Sequence, residues 1–156
     1  MKAQKANKGD IDELVELRIA YLTEDDGPLG ADVVERIESG LPNYYLRHLG
    51  KDIFAYVIRE DDRIASCALL LVVEKPMSPA FITGRTGTVL NVYTRPESRR
   101  KGYARQLMEA LLSDAREMDL SVVELLATED GYPFYLSAGF KDSQHKYHSM
   151  KWVPAS

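Results

Sequence analysis

Val89-Leu90-Asn91-Val92-Tyr93-Thr94-Arg95-Pro96-Glu97-Ser98-Arg99-Arg100-Lys101-Gly102-Tyr103-Ala104-Arg105-Gln106-Leu107 reads as a strand, a basic loop with one glycine, and the first turn of an amphipathic helix. A strand-to-helix junction of this kind presents unpaired backbone N–H groups at the helix start, where the macrodipole favours an anion. Arg99, Arg100, Lys101 and Arg105 add mobile positive charge to those fixed donors. The guest that such a junction suits carries phosphates.

Outward from this stretch, the remaining elements follow from pattern. Residues 2–8 suit a short edge strand, and Asp10 with Glu13 three residues on reads as the cap of a first helix ending near Leu22. Thr23 to Pro28 is a loop by composition, which places Glu24, Asp25 and Asp26 between helices. A second helix is expected from about Asp32 to Leu49, weakened by Gly40 and Pro42. Ile53–Ile58 and Ile64–Val73 suit an antiparallel hairpin turning at Glu60-Asp61-Asp62-Arg63. After a long loop, Lys75 to Gly87, comes the strand Thr88–Thr94.

The helix from about Gly102 to Met118 places Ala104, Leu107, Met108, Leu111, Leu112 and Ala115 on one face. Ser121–Ala127 is a further strand. Tyr132–Ala138 is a short helix closed by Gly139, and Phe140 onward is expected to supply one or two closing strands. The order predicts a single domain over residues 1–156, a mixed α+β sheet with helices on both faces.

Composition narrows the classes. The chain has 156 residues, 45% hydrophobic and 28% charged, and a net charge of -4, against the basic surplus of general nucleic-acid binders. A lone cysteine, Cys67, permits no intrachain disulfide and suits a reducing compartment. Met1 to Lys8 runs into Gly9-Asp10 and not into an apolar segment, and the longest apolar run, Ile64 to Val73, is too short to span a bilayer as a helix. The expected setting is cytoplasmic, with neither membrane nor nucleic acid as partner. Three scattered histidines and one cysteine give no metal-ligand spacing. Cys67 itself sits among Ala, Leu and Val, as a buried core residue would.

Two motifs then stand in order: Arg99-x-x-Gly102-x-Ala104 at the strand-to-helix junction and, past a helix and a strand, Tyr132-Pro133-Phe134-Tyr135-Leu136-Ser137-Ala138-Gly139-Phe140. Together they resemble the GNAT superfamily of N-acetyltransferases, which pair Arg/Gln-x-x-Gly-x-Gly/Ala in a pyrophosphate loop with a downstream aromatic-Tyr-x-x-x-Gly-Phe signature. The resemblance implies a three-layer fold, a mostly antiparallel mixed central sheet split near the strand Leu90–Thr94, with acetyl-CoA in the split. Gly102 would let backbone approach an oxygen, and the N–H groups from Arg100 through Lys101, Gly102 and Tyr103 to Ala104 would form a nest for the diphosphate. Arg99, Arg100 or Arg105 would meet the 3′-phosphate. The strand through Val92, Tyr93 and Thr94 would hold the pantetheine arm, with the N–H near Val92 polarising the thioester carbonyl. Read without the family, the same residues serve equally well as a solvated basic turn and an ordinary central strand.

By the same resemblance Tyr135 is the general acid. A phenol near 10 can protonate a departing thiolate whose thiol titrates at about 8.5. Apart from the family, Tyr135 reads as an aromatic covering its helix. Asn91, on the strand before the loop, is no base, and no general base is assigned among Glu129, Asp130 or a water held by Asn91 and Thr128. Glu24, Asp25 and Asp26 read either as recognition for a cationic amine or as a solvated loop. His145, Tyr147 and His148 near the expected last strand read as core or surface residues, or as acceptor contacts. The implied reaction is direct transfer from acetyl-CoA to a primary amine of a small molecule. The alternatives are a protein N-terminal or lysine acetyltransferase and a non-catalytic acyl-CoA-binding module. Homodimers are common in the family.

Overall fold

In the computed structural model, which describes residues 2–155, five strands lie in chain order across one sheet. They are β1 (Gln4–Lys5), β2 (Ile53–Glu60), β3 (Arg63–Glu74), β4 (Arg85–Thr94) and β5 (Val122–Glu124). The helices are α1 (Ile11–Asp26), α2 (Ala31–His48), α3 (Tyr103–Glu117) and α4 (Tyr132–Ser137). β1 to β4 pair antiparallel, whereas β5 runs parallel to β4, as a strand reached through a crossover helix must. The β2–β3 turn is Asp61-Asp62, both left-handed (φ 51° and 64°), the conformation whose twist suits a two-residue hairpin.

Alternation along the strands divides the core. Ile53, Ala55 and Val57 of β2 and Cys67 and Leu69 of β3 pack with Leu14 and Leu17 of α1 and Tyr45 of α2. The opposite parity, Tyr56 and Ile58 of β2 with Ala68 and Leu70 of β3, is equally buried, as are Leu107, Met108 and Leu111 of α3. The Tyr56 hydroxyl donates to Asp114 of α3 at 2.8 Å. Helices therefore cover both faces, as the α+β reading required.

Several boundaries differ from expectation. The capping box forms one turn earlier, with Asn7 receiving the Gly9 N–H and Asp10 receiving the Asn7 N–H, so Asp10 does not cap α1 with its side chain. Glu13 instead accepts the Ile64 N–H at 2.9 Å. α1 continues through Glu24, Asp25 and Asp26 to Gly27 at φ 83°, so these acids form its last turn and not a loop. β5 has only three residues, and no strand follows it among the described residues. The segment Lys141–Lys151 has no valine, isoleucine or threonine, the β-branched side chains that favour a pleated surface, and Tyr147 is its one aromatic of that kind.

The chain falls into two compact units, one running to Leu126 and one from Ala127. In the second, Thr128 Oγ1 receives the Gly131 N–H at 3.1 Å and opens α4. Gly139, at φ 102°, closes it, and the Phe140 N–H returns to the Tyr135 carbonyl at 3.0 Å. That return stacks the Tyr135 and Phe140 rings edge to face, centroids 5.9 Å apart.

Candidate active site

β4 is paired on both sides only at its start. β5 meets Thr86, Gly87 and Thr88, and beyond them the ladder continues on the β3 side alone. The Arg95 N–H bonds to Ala65 of β3 at 2.9 Å, so alternation turns the backbone groups of Thr94 and Val92 toward the open side. The ladder thus opens along the second half of β4, the strand near which the family resemblance implies a split.

A bulge marks the middle of this strand. Cys67 opposes Tyr93 and Leu69 opposes Leu90, leaving Asn91 and Val92 opposite Ala68. Asn91 takes a left-handed backbone, φ 54°, and is buried at 4% exposure. Its amide donates to Cys67 Sγ at 3.6 Å and accepts from Arg18 Nη1 at 3.4 Å. Cys67 is fully enclosed, and burial pushes its thiol up to about 12, so it supplies no thiolate near neutral pH.

Past Thr94 the chain makes a short turn at Pro96–Ser98 and then uses two left-handed residues, Arg100 (φ 65°) and Gly102 (φ 81°), to enter α3. Gly102 is the N-cap of a 15-residue helix that has no side-chain cap and no acidic residue in its first turn. The N–H groups of that turn have no intrahelical acceptor. A Cβ placed on Gly102 would meet nothing within 4 Å. Alternating backbone handedness, donors without intrahelical acceptors, the positive end of the macrodipole and the open space at Gly102 together fit a diphosphate.

The loop is held from beneath by carboxylates that sequence reasoning missed. Glu60, at the end of β2, accepts from Lys101 Nζ at 2.7 Å, from the Tyr103 hydroxyl at 2.6 Å, and from the Ser98 hydroxyl. Lys101, then Ser98 and Tyr103, hold the Glu60 carboxyl down to about 2. Glu24 of α1 accepts from Arg99 Nη2 at 2.7 Å, while Arg99 Nε donates to the Thr94 carbonyl at 2.8 Å. The Arg99 guanidinium also lies over the Tyr93 ring, 5.5 Å from its centroid. Glu60 was read as a turn residue and Glu24 as a loop acid, because sequence spacing carries no sign of partners 41 and 75 residues away.

The expected cofactor residues from Val92 to Arg105 thus form one continuous run from open strand to helix start. Arg99 and Lys101 are engaged by carboxylates, Arg100 is exposed in the loop, and Arg105 lies in the first turn of α3. Tyr135 lies on α4 in the second unit, its ring over Gly131, where a Cβ would sit 3.2 Å from the Tyr135 ring. His145 Nδ1 is 2.8 Å from the Tyr147 carbonyl oxygen. Glu129 and Asp130 precede α4 in a turn. Among the described residues no group of three His, Cys, Asp or Glu side chains could hold a metal, and no helix is long and apolar enough to cross a membrane.

The same architecture recurs in solved acetyltransferases. A predicted acetyltransferase of Clostridium acetobutylicum, solved with acetyl-CoA, is 25% identical with a TM-score of 0.83, over 96% of this chain and 95% of that one. A GCN5-related N-acetyltransferase of Ralstonia eutropha JMP134 is 22% identical, TM-score 0.77, over 96% and 97%. Glucosamine-6-phosphate N-acetyltransferase of Arabidopsis thaliana is 18% identical, TM-score 0.68, over 96% and 97%. The fold is therefore that of the acetyltransferases. A sequence model of the acetyltransferase (GNAT) family matches residues 12–140, and the chain belongs to that family, whose acetyl donor is acetyl-CoA. The sequence matches none of the curated proteins.

Proposed function

We propose that this acetyltransferase transfers the acetyl group of acetyl-CoA to a primary amine of a small molecule, directly, in a ternary complex. The observation that carries the reading is the open side of β4 leading through two left-handed residues into an uncapped, acid-free helix start. In this reading Val92, Tyr93 and Thr94 hold the pantetheine arm, and the loop from Arg99 and Arg100 through Lys101, Gly102, Tyr103 and Ala104 to Arg105 takes the phosphates. Glu60 and Glu24 position that loop and do not touch the cofactor.

The chemistry follows from the groups available. The neutral amine attacks the thioester carbon, a C–N bond forms and the C–S bond breaks. The thiolate leaves with the electron pair and takes the proton of the Tyr135 hydroxyl, which is restored from solvent. The nitrogen gives its surplus proton to water. A covalent acetyl-enzyme on Cys67 is disfavoured, since its thiol is enclosed and holds its proton. The reading takes the whole chain as one N-acetyltransferase domain in the cytoplasm and, by family analogy, a homodimer.

The test is calorimetric titration with coenzyme A of the protein and of Gly102→Glu. The variant combines an unfavourable left-handed backbone with a carboxylate in the proposed cradle. Binding by the wild type and its loss in the variant support the site. Equal binding by both removes the loop from the site, and no binding by the wild type removes the reading.

A further inference from the structure

Most cations around α1 have a carboxylate, whereas Arg85 at the start of β4 donates to the Met118 carbonyl at 2.8 Å. Arg59 pairs with Asp10 at 2.8 Å, Arg95 with Glu16 at 2.8 Å, Arg63 with Glu16 at 3.5 Å and Arg99 with Glu24 at 2.7 Å. Arg18, in the middle of α1 and partly buried, has none within ion-pair distance among the described residues. Its one hydrogen bond is long, 3.4 Å from Nη1 to the amide oxygen of Asn91. A guanidinium has five donors in a planar fork and stays charged at any physiological pH. Partly withdrawn from water with one weak neutral acceptor, it lacks what normally offsets the loss of hydration.

The surroundings are phenols. Tyr21, Tyr44 and Tyr45 have their acidities reduced mainly by burial, and the Arg18 charge opposes that reduction at each of them. The nearby acids Asp25, Asp26 and Asp52 act on Tyr21 and Tyr44, and none of them pairs with Arg18. Asn91 fixes where the guanidinium lies: beside the left-handed bulge residue that directly precedes Val92, on the open strand proposed to hold the reacting end of the donor.

We infer that Arg18 binds an oxyanion of the acceptor, so that the substrate class is amines bearing a carboxylate or phosphate a few bonds from the reacting nitrogen. The inference rests on the acetyl-transfer reading above and deepens it. A planar fork takes either oxyanion through paired N–H donors, which a lysine ammonium does less well. It stands against the reading of Glu24, Asp25 and Asp26 as recognition for a cationic amine, of which Glu24 is already engaged by Arg99. Arg18 is a specificity residue in this assignment and takes no part in proton transfer.

The experiment measures coenzyme A thiol release from acetyl-CoA against matched amines. One arm is the L-amino acids and β-alanine, a second O-phosphoethanolamine and glucosamine 6-phosphate. A third holds their uncharged or cationic counterparts: amino-acid amides, ethanolamine, glucosamine and putrescine. The expected result is turnover confined to one of the first two arms, which also tells carboxylate from phosphate. Arg18→Met should then raise KM about 10- to 100-fold, with a smaller effect on kcat and unchanged coenzyme A binding. Arg18→Lys should recover part of the loss. Turnover of the third arm that Arg18→Met leaves unchanged overturns the inference and keeps the acetyltransferase reading.

If no amine turns over although coenzyme A binds, the small-amine reading fails, and a binding arm decides on Arg18 alone. The side-chain Nε–H resonance of Arg18, identified by its absence from Arg18→Met, is followed while acetate and then inorganic phosphate are added to the coenzyme A-saturated protein. A saturable shift supports the oxyanion site, and an unmoved resonance overturns it.

Discussion

Single residues show how one backbone conformation serves different ends. Asn91 and Gly102 both have positive φ, at 54° and 81°, yet one is buried in a bulge and the other opens onto free space. An asparagine tolerates the left-handed region because its short polar side chain can bond locally. Here that side chain reaches Cys67 and Arg18. In the proposed reaction Tyr135 is the general acid, because the departing thiolate needs a proton and a phenol can give it. Tyr135→Phe keeps the ring against Phe140 and Gly131 while deleting the hydroxyl. We expect kcat to fall about 100-fold with coenzyme A affinity unchanged, read by steady-state kinetics beside calorimetry. Equal kcat in the variant would remove Tyr135 from the mechanism.

Among the elements, α2 is the one whose sequence argues against its structure. Gly40 and Pro42 lie inside an 18-residue helix, and proline both removes an intrahelical donor and crowds the preceding turn. The helix persists because Tyr45 at its far end is buried at 1% exposure against the sheet. Gly40 has no packing reason to lack a side chain, since a Cβ there meets nothing within 4 Å. Gly40→Ala should therefore stabilise the protein by about 0.5–1 kcal/mol, raising Tm by about 1–4 °C in a calorimetric scan. Gly102→Ala, equally unobstructed but left-handed, should lower it. A rise for both variants would mean that the left-handed backbone at Gly102 costs nothing.

At the scale of the molecule, Glu60 joins regions far apart in the chain, the end of β2 to the turn before α3 and the start of α3 itself. Its carboxyl is held from the usual 4.5 down to about 2, so the charged form is favoured by folding. A depressed carboxyl contributes stability above its unfolded value and loses it as pH falls through the folded value. The difference in Tm between the wild type and Glu60→Gln should be full at pH 7 and shrink to nothing between 4.5 and about 2. A difference that persists unchanged at pH 2 would mean that the Glu60 charge is not what ties the loop down.

By itself the sequence determined the elements whose signals are local. The apolar stripe of α3, the Asp61-Asp62 hairpin, the glycine at the entrance to α3 and the Gly139-Phe140 closure of α4 all follow from periodicity or backbone preference within a few residues. The α+β class and the glycine-bearing strand-to-helix junction were legible for that reason. Tertiary structure alone decided what depends on distant partners. It extended α1 through Glu24, whose carboxylate meets Arg99, and moved Glu13 from a cap to the Ile64 N–H. It ended β5 after three residues, opening β4, and it left Arg18 without a carboxylate beside a bulge 73 residues away. A charge reads the same in sequence whether its counter-ion is present or absent, and only the packing of helix on sheet tells the two apart.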